Sequence, residues 1–250
     1  MPQIPQDIFM DGIKELIQLD KGWVPNGEGK SLYIRPFMIA DEASLGVKAS
    51  NSYKFIVITS PTSNYYAGAI SVKIEDDFSR AASGGIGAAK AAANYAASLY
   101  PAQNAQKQGY NQLIWTDASE HKYIEESGTM NIMFMVNGKL ITPSVVSDTI
   151  LKGVTRDSII QLARKWNIEV EERKIPVAEL IDALHKGEVE EAFGMGTAAT
   201  IVPIHTIGHK NEKYTLTDAS NWTFSNRAKE YLEGLKRGHI EDEFNWIEKV

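Results

Sequence analysis

Cysteine is absent from the 250 residues of this chain. That absence excludes a disulfide framework, thiolate metal sites and cysteine nucleophiles, and it suits a reducing compartment. The N-terminus has no basic region followed by an apolar run, and no apolar stretch is long enough to cross a bilayer. We therefore expect a cytoplasmic protein without a membrane partner.

Clusters of basic residues are also missing, and the formal net charge of -6 argues against a nucleic-acid partner. Two nucleotide-binding motifs fail around Lys90: it occupies the last glycine position of a dinucleotide fingerprint, and Ala89 and Ala91 replace the residues that flank a P-loop lysine. No third ligand lies near His205 and His209, so we expect no metal site and interpret both as loop or surface histidines.

The periodicity of apolar residues predicts a chain of mixed α and β structure. Helical spacing is typical of residues 7–20, the Ala-rich segment through Tyr100, and residues 155–166, 177–186 and 221–237. Runs of β-branched and aromatic residues predict strands at 32–39, 54–59, 70–74, 112–116, 122–126, 131–136, 139–142 and 170–174, with another ending near Phe193. Consecutive strands without intervening helices favour an α+β (mixed α/β) fold over a regular doubly wound sheet.

Lys90 stands out because its sequence neighbours are glycine and alanine, and the nearest preceding acidic residue is Asp77. Small neighbours let the backbone pack closely, which would remove water from the amine. A desolvated lysine loses proton affinity and becomes a nucleophile suited to Schiff-base chemistry. The alternative is a solvated lysine at the start of an Ala-rich helix.

Two adjacent carboxylates, Glu125 and Glu126, lie on a predicted strand. Neighbouring strand residues face opposite ways, so we expect one of the two to point inward. An inward carboxylate is costly without a positive partner such as a pyridinium nitrogen. A solvated pair at the end of the strand is the alternative.

Two turns could bind an anion. Gly153 permits a close approach, and Thr155 stands where the N-cap hydroxyl of a following helix is expected, so the free N–H groups of that helix start form a phosphate or carboxylate site. The second turn, residues 194–200, is rich in small residues, and its successive N–H groups together with the Thr197 hydroxyl could form another cradle. An ordinary capped helix and a plain strand-ending turn are the alternatives.

Several stretches together resemble the branched-chain amino-acid aminotransferases of the fold-type IV pyridoxal-phosphate enzymes. They are Ser31-Leu-Tyr-Ile-Arg-Pro36, Leu45-Gly-Val47, Gly87-Ala-Ala-Lys-Ala-Ala-Ala-Asn-Tyr95, Tyr123-Ile-Glu-Glu-Ser-Gly-Thr-Met-Asn131, Gly153-Val-Thr-Arg-Asp157 and Gly196-Thr-Ala-Ala199. The stretches occur in the order of the family and spread over nearly the whole chain, which makes their combination specific.

The resemblance implies the cofactor pyridoxal 5'-phosphate and transamination of leucine, isoleucine and valine with 2-oxoglutarate. It also implies a residue set. Lys90 would be the catalytic lysine that carries the cofactor, with Tyr95 at the phenolic oxygen of the cofactor, Glu126 at its pyridine nitrogen, and Val154, Thr155 and Thr197 at its phosphate. Thr129, Ala198 and Ala199 would bind the substrate, and Tyr33, Arg35, Leu45, Val47 and Tyr65 would line its pocket, some from the partner subunit of a homodimer.

The resemblance further implies a partial small α/β domain (1–62), an interdomain linker (63–73) and a larger pseudo-barrel cofactor domain (74–250). The chain departs from the family pattern in having Ala92-Ala93 where Gly-Gly is usual. We also expect further small-domain strands, with an arginine that binds the cofactor phosphate, upstream of the first helix. The alternatives are a D-amino-acid transaminase, an aminodeoxychorismate lyase, or a catalytically impaired truncated remnant.

Overall fold

The computed structural model describes residues 1–27, 29–63 and 68–250. It divides the chain into two compact units, one formed by Met1–Tyr65 with Glu243–Val250 and the other by Tyr66–Asp242. None of the helices in the described ranges has both the length and the apolar character needed to cross a bilayer.

The smaller unit contains one helix and one hairpin. Helix α1 (Gln6–Asp20) is followed by strands β1 (Ser31–Ala40) and β2 (Tyr53–Thr62), which pair antiparallel. The predicted helix and both predicted strands are therefore confirmed. Phe9 of α1 stacks on Phe55 of β2 with 5.6 Å between ring centroids, which holds the helix against the sheet. Among its described residues, this unit buries no side chain fully.

The larger unit contains a mixed sheet with helices packed on it. The strands are β3 (Ile70–Ile74), β4 (Gln112–Thr116), β5 (Tyr123–Ser127), β6 (Asn131–Val136), β7 (Lys139–Pro143), β8 (Val170–Arg173), β9 (Ile175–Pro176), β10 (Val189–Gly196), β11 (Thr200–His209) and β12 (Glu212–Thr215). The helices are α2 (Ala92–Lys107), α3 (Val154–Lys165), α4 (Val177–Lys186) and α5 (Phe224–Lys236).

Within the described part of the chain, the sheet has the order β8-β7-β6-β10-β11-β3-β4-β5-β9, with β12 paired to β11. The β11–β3, β3–β4 and β7–β8 pairs are parallel and the other pairs are antiparallel. Helix α2 packs on β4, α3 on β10, and α5 on both β10 and β11. This arrangement confirms the mixed α/β fold class, because parallel and antiparallel pairs alternate irregularly across one sheet.

The sequence patterns missed three strands, β9, β11 and β12, and placed one helix end too early. His205 and His209 lie on β11, not in a loop, although His205 is exposed. Helix α2 continues past Tyr100 to Lys107, because Ala105 packs into a cluster with Trp115 on β4. Packing against the sheet outweighs local sequence here.

The two units also differ from the predicted domain bounds. Strand β3 (Ile70–Ile74) pairs with β11 and β4 inside the large sheet, so residues 70–73 of the predicted linker are sheet residues. The segment Glu243–Val250 belongs to the smaller unit, where Glu248 pairs with Lys14 of α1.

Candidate functional site

Lys90 lies in the loop between β3 and α2, two residues before the helix begins at Ala92. Its Nζ donates a 3.0 Å hydrogen bond to Oη of Tyr95, which stands in the first turn of α2. Gly87 lets this loop close against residue 149, because a Cβ at position 87 would lie 2.6 Å from the Thr149 carbonyl oxygen. The close backbone packing that the small residues predict therefore occurs, but its contact point is Gly87, three residues before Lys90.

The expectation of a desolvated amine at Lys90 is wrong for this structure, because the Lys90 side chain is exposed. Alanine neighbours cover too little area to exclude water from a side chain of this length. The loop thus presents the amine at an open surface, with the Tyr95 hydroxyl as its hydrogen-bond partner.

Glu126 on β5 is buried and has a cationic partner that the sequence patterns did not reveal. Oε2 of Glu126 is 2.5 Å from Nε of Arg80, and the two side chains form a buried ion pair. Burial raises the pKa of Glu126 to about 7, and the charge of Arg80 opposes that rise. Nη2 of Arg80 also donates to the carbonyl oxygens of Gly87 and Thr149, so one guanidinium joins the Lys90 loop to this carboxylate.

Arg80 could have been found from the sequence. It is the only arginine between Arg35 and Arg156, and it lies ten residues before Lys90. A predicted inward carboxylate requires a nearby cation, so Arg80 was a candidate together with lysines such as Lys73 and Lys122.

Glu125 is buried as well, which contradicts the expectation that only one of the two carboxylates points inward. Strand alternation does send the two side chains to opposite faces, but β5 is flanked by β4 and β9 and is covered on both faces. Burial raises the pKa of Glu125, while a hydrogen bond from Thr149 and the charge of Arg80 lower it.

Asn131 at the start of β6 connects Glu126 to the beginning of α3. Its Nδ2 donates to Oε1 of Glu126 (3.1 Å) and to the carbonyl oxygen of Leu151 (2.8 Å), and the Leu151 amide donates to the same Oε1. A Cβ on Gly153 would lie 2.0 Å from Oδ1 of Asn131, so a larger residue at that position would require the Asn131 side chain to move.

The prediction that Thr155 caps α3 is wrong. The helix begins at Val154 with Gly153 as its N-cap, and no side chain caps it. Thr155 is therefore the second helical residue, half-buried beside an exposed Val154. The uncapped N–H groups of the first turn are available to an anion.

A small pocket that is open to solvent lies where these elements meet. Its lining residues are Arg80, Ala89, Asn94, Tyr95, Ser98, Glu126, Gly128, Thr129 and Leu151. The structure thus brings together the predicted residues Tyr95, Glu126 and Thr129, with Lys90 joined to Tyr95 by its hydrogen bond.

The remaining predicted residues lie elsewhere. Thr197 and Ala198 are exposed and Ala199 is half-buried in the turn that joins β10 to β11. In the smaller unit, Tyr33 and Arg35 are two apart on β1, with the guanidinium carbon 5.0 Å from the ring centroid. Leu45 and Val47 are fully exposed in the loop after β1, and Tyr65 is outside the described residues.

Comparison with known proteins gives the family. The amino-transferase class IV family matches residues 1–207. A probable branched-chain-amino-acid aminotransferase from Staphylococcus epidermidis is 44% identical over 254 residues, covering 100% of this chain and 71% of the relative. Branched-chain-amino-acid aminotransferase 2 from Bacillus subtilis is 43% identical over 253 residues, covering 100% of this chain and 69% of the relative.

A solved structure with a similar fold belongs to the same family as these sequence relatives. The branched-chain amino acid aminotransferase from Escherichia coli superposes with a TM-score of 0.80 at 28% identity, covering 100% of this chain and 77% of the other. Sequence and fold therefore lead to the same group, and this chain belongs to the class IV aminotransferases, within the branched-chain-amino-acid aminotransferase family.

Proposed function

We propose that this protein transfers the amino group of leucine, isoleucine or valine to 2-oxoglutarate, giving the branched-chain 2-oxo acid and glutamate, with pyridoxal 5'-phosphate as cofactor. The observation that carries the proposal is the pocket at which Glu126, Arg80 and the Lys90–Tyr95 pair converge in a chain of this family.

The residues present fit the cofactor. A pyridine nitrogen that keeps its proton needs a buried anion, and Glu126 is a buried carboxylate in the pocket wall. Burial raises the pKa of Glu126 to about 7, so an additional positive charge in the pocket would stabilise the ionised carboxylate. A phosphate needs N–H donors, and the first turn of α3 at Val154 and Thr155 carries no side-chain cap. When bound, pyridoxal phosphate supplies an electron sink for the negative charge that develops at the substrate Cα.

Lys90 is the residue we assign to the covalent attachment of the cofactor and to proton transfer. Its side chain is exposed, and its amine donates a hydrogen bond to Tyr95, which lines the pocket. A lysine amine in such a position can accept the proton from Cα of the substrate. Tyr95 would donate to the phenolic oxygen of the cofactor and orient the amine.

Glu126 would hold positive charge at the pyridine nitrogen throughout the reaction. Three contacts fix its carboxylate, namely those from Arg80, Asn131 and the Leu151 amide. Because these partners come from three different segments, the carboxylate is held in one orientation without help from solvent.

The anionic groups of cofactor and substrate are assigned to the two small-residue turns. Val154, Thr155 and Thr197 would bind the phosphate, through helix-start N–H groups and a hydroxyl. Thr129 in the pocket wall, with the backbone N–H groups at Ala198 and Ala199, would bind the substrate α-carboxylate.

We assign the recognition of the substrate side chain to Tyr33, Arg35, Leu45, Val47 and Tyr65. An arginine beside a phenol can bind the γ-carboxylate of glutamate and move aside for leucine, whereas a rigid buried charge would penalise leucine. We further propose a homodimer in which some of these residues serve the partner's pocket, and a cytoplasmic location consistent with the absence of cysteine.

The experiment is a glutamate-formation assay with L-leucine, 2-oxoglutarate and pyridoxal phosphate. Lys90→Ala should lower the rate by about 10²–10⁴-fold or more, because the proton-transfer group is lost. Lys107→Ala is the matched control, since Lys107 is an exposed lysine in the last turn of α2, the helix that follows Lys90, and it should keep the wild-type rate. Turnover of D-amino acids with no turnover of L-leucine would contradict the proposal.

A further inference from the structure

Thr200 has a backbone conformation that its side chain disfavours. It is a buried β-branched residue with φ +53°, at the first position of β11. Residues with positive φ are usually glycine or asparagine, and a β-branched residue in that region is an outlier that surrounding structure must maintain. Thr200 pairs with Gly196 and so closes the turn of residues 197–199, in which Thr197 and Ala198 lie.

The hydroxyl of Thr200 is held from both sides by helix α5. Oγ1 of Thr200 donates to Oε1 of Glu233 (2.6 Å) and accepts from Nζ of Lys236 (2.7 Å). Glu233 and Lys236 are themselves an ion pair at 3.1 Å. All three contacts close a ring, so the hydroxyl has one donor and one acceptor at fixed positions.

The three hydrogen-bonded residues hold the C-terminal end of the turn of residues 197–199, where Thr200 begins β11. Three residues separate the strands, and hairpins with three-residue loops characteristically need a residue with positive φ, which glycine usually supplies. Here Thr200 is that residue, and the contacts with α5 take over the role that glycine would fill by conformational freedom. A glycine would leave the turn free to change shape, whereas the bonded threonine fixes it.

We infer that Thr200, Glu233 and Lys236 are positioning residues that hold the turn 197–199 in the conformation that binds the anionic groups of cofactor and substrate. This inference rests on the proposed function for the identity of those groups, but the rigidity of the turn does not depend on it. The three residues touch neither substrate nor cofactor; they act through the backbone of the turn.

The test compares Thr200→Val with Thr200→Ser. Valine keeps the shape and the branching but removes the hydroxyl, whereas serine keeps the hydroxyl. In the cofactor-free protein, hydrogen exchange of the amides at the two paired strand ends that the turn joins, residues 195–196 and 200–201, should become about tenfold faster or more in Thr200→Val. This variant loses the hydrogen bonds between the hydroxyl and the charged groups of α5, whereas Thr200→Ser keeps them and should stay near wild type.

Kinetics give a second readout. The KM for leucine should rise about tenfold in Thr200→Val while kcat changes much less, since a misplaced carboxylate cradle weakens substrate and transition state alike. Glu233→Gln should show a smaller effect of the same kind, and it serves as the second variant if Thr200→Val does not fold. Glu230→Gln, at an exposed position of the same helix, is the control that should match wild type.

The outcomes separate the two proposals. Faster exchange at residues 195–196 and 200–201 in Thr200→Val, with rescue by serine, supports the inference even if the wild type lacks transaminase activity, in which case the proposed function alone fails. Wild-type exchange in both Thr200→Val and Glu233→Gln overturns the inference, whatever the activity. A tenfold fall in kcat with an unchanged KM in Thr200→Val would also overturn it, because a role in positioning the substrate site predicts a raised KM and a nearly unchanged kcat.

Discussion

Glu126 provides the sharpest quantitative prediction, because its burial has a measurable consequence in the cofactor-free protein. The side chain is 4% exposed and its pKa is raised from 4.5 to about 7. Well below pH 4.5 the carboxyl is protonated in both the folded and the unfolded state, so burial carries no charge penalty. As the pH rises, the unfolded state releases the proton first, and stability is lost until the pH passes the folded pKa near 7.

The size of this loss follows from the shift. A difference of about 2.5 pKa units at roughly 1.36 kcal/mol each corresponds to about 3 kcal/mol of unfolding free energy. Glu126→Gln cannot ionise, so it should be free of this loss. We therefore expect the stability of the Gln variant relative to wild type to increase by about 3 kcal/mol between about pH 4.5 and pH 8.

Urea unfolding of the two cofactor-free proteins at both pH values measures this difference directly. Glu230→Gln on the exposed face of α5 is the control, and its stability relative to wild type should not change with pH. A gap between wild type and Glu126→Gln that stays constant from low to high pH would refute the reasoning. Adding pyridoxal phosphate at pH 8 should then stabilise wild type more than the Gln variant, because only the carboxylate gains a cationic partner.

Three further predictions concern other parts of the site. Borohydride reduction with pyridoxal phosphate followed by peptide mapping should place the pyridoxyl group on Lys90, and modification of a different lysine would contradict the assignment. Gly153→Ala should destabilise the protein by about 1–3 kcal/mol in urea unfolding and weaken cofactor binding in absorbance titrations, because the new Cβ would meet Oδ1 of Asn131 at 2.0 Å; unchanged stability would show that Asn131 can move aside. Arg35→Ala should raise the KM for 2-oxoglutarate more than that for 4-methyl-2-oxopentanoate, since only the former carries a γ-carboxylate; equal losses in steady-state assays would indicate a structural role.

Much of the secondary structure could be predicted from the sequence. Strands β3, β4 and β6 and helix α4 have the predicted bounds, and the other predicted elements differ by a few residues at their ends. Their apolar periodicity is local, so it does not depend on which elements become neighbours. The exceptions are β9, β11 and β12, which the patterns missed, and the C-terminal half of α2, whose extent is set by packing on β4.

The sequence by itself also determined the family and the candidate residues, because each stretch that carries the resemblance is contiguous along the chain. Only the tertiary structure decided their environments. The pairing of Arg80 with Glu126, the burial of Glu125 on the second face of β5 and the exposure of Lys90 all depend on contacts between segments far apart in sequence. The ring of Thr200, Glu233 and Lys236 is the clearest case, since a threonine with positive φ can be maintained only by a helix that begins more than twenty residues later.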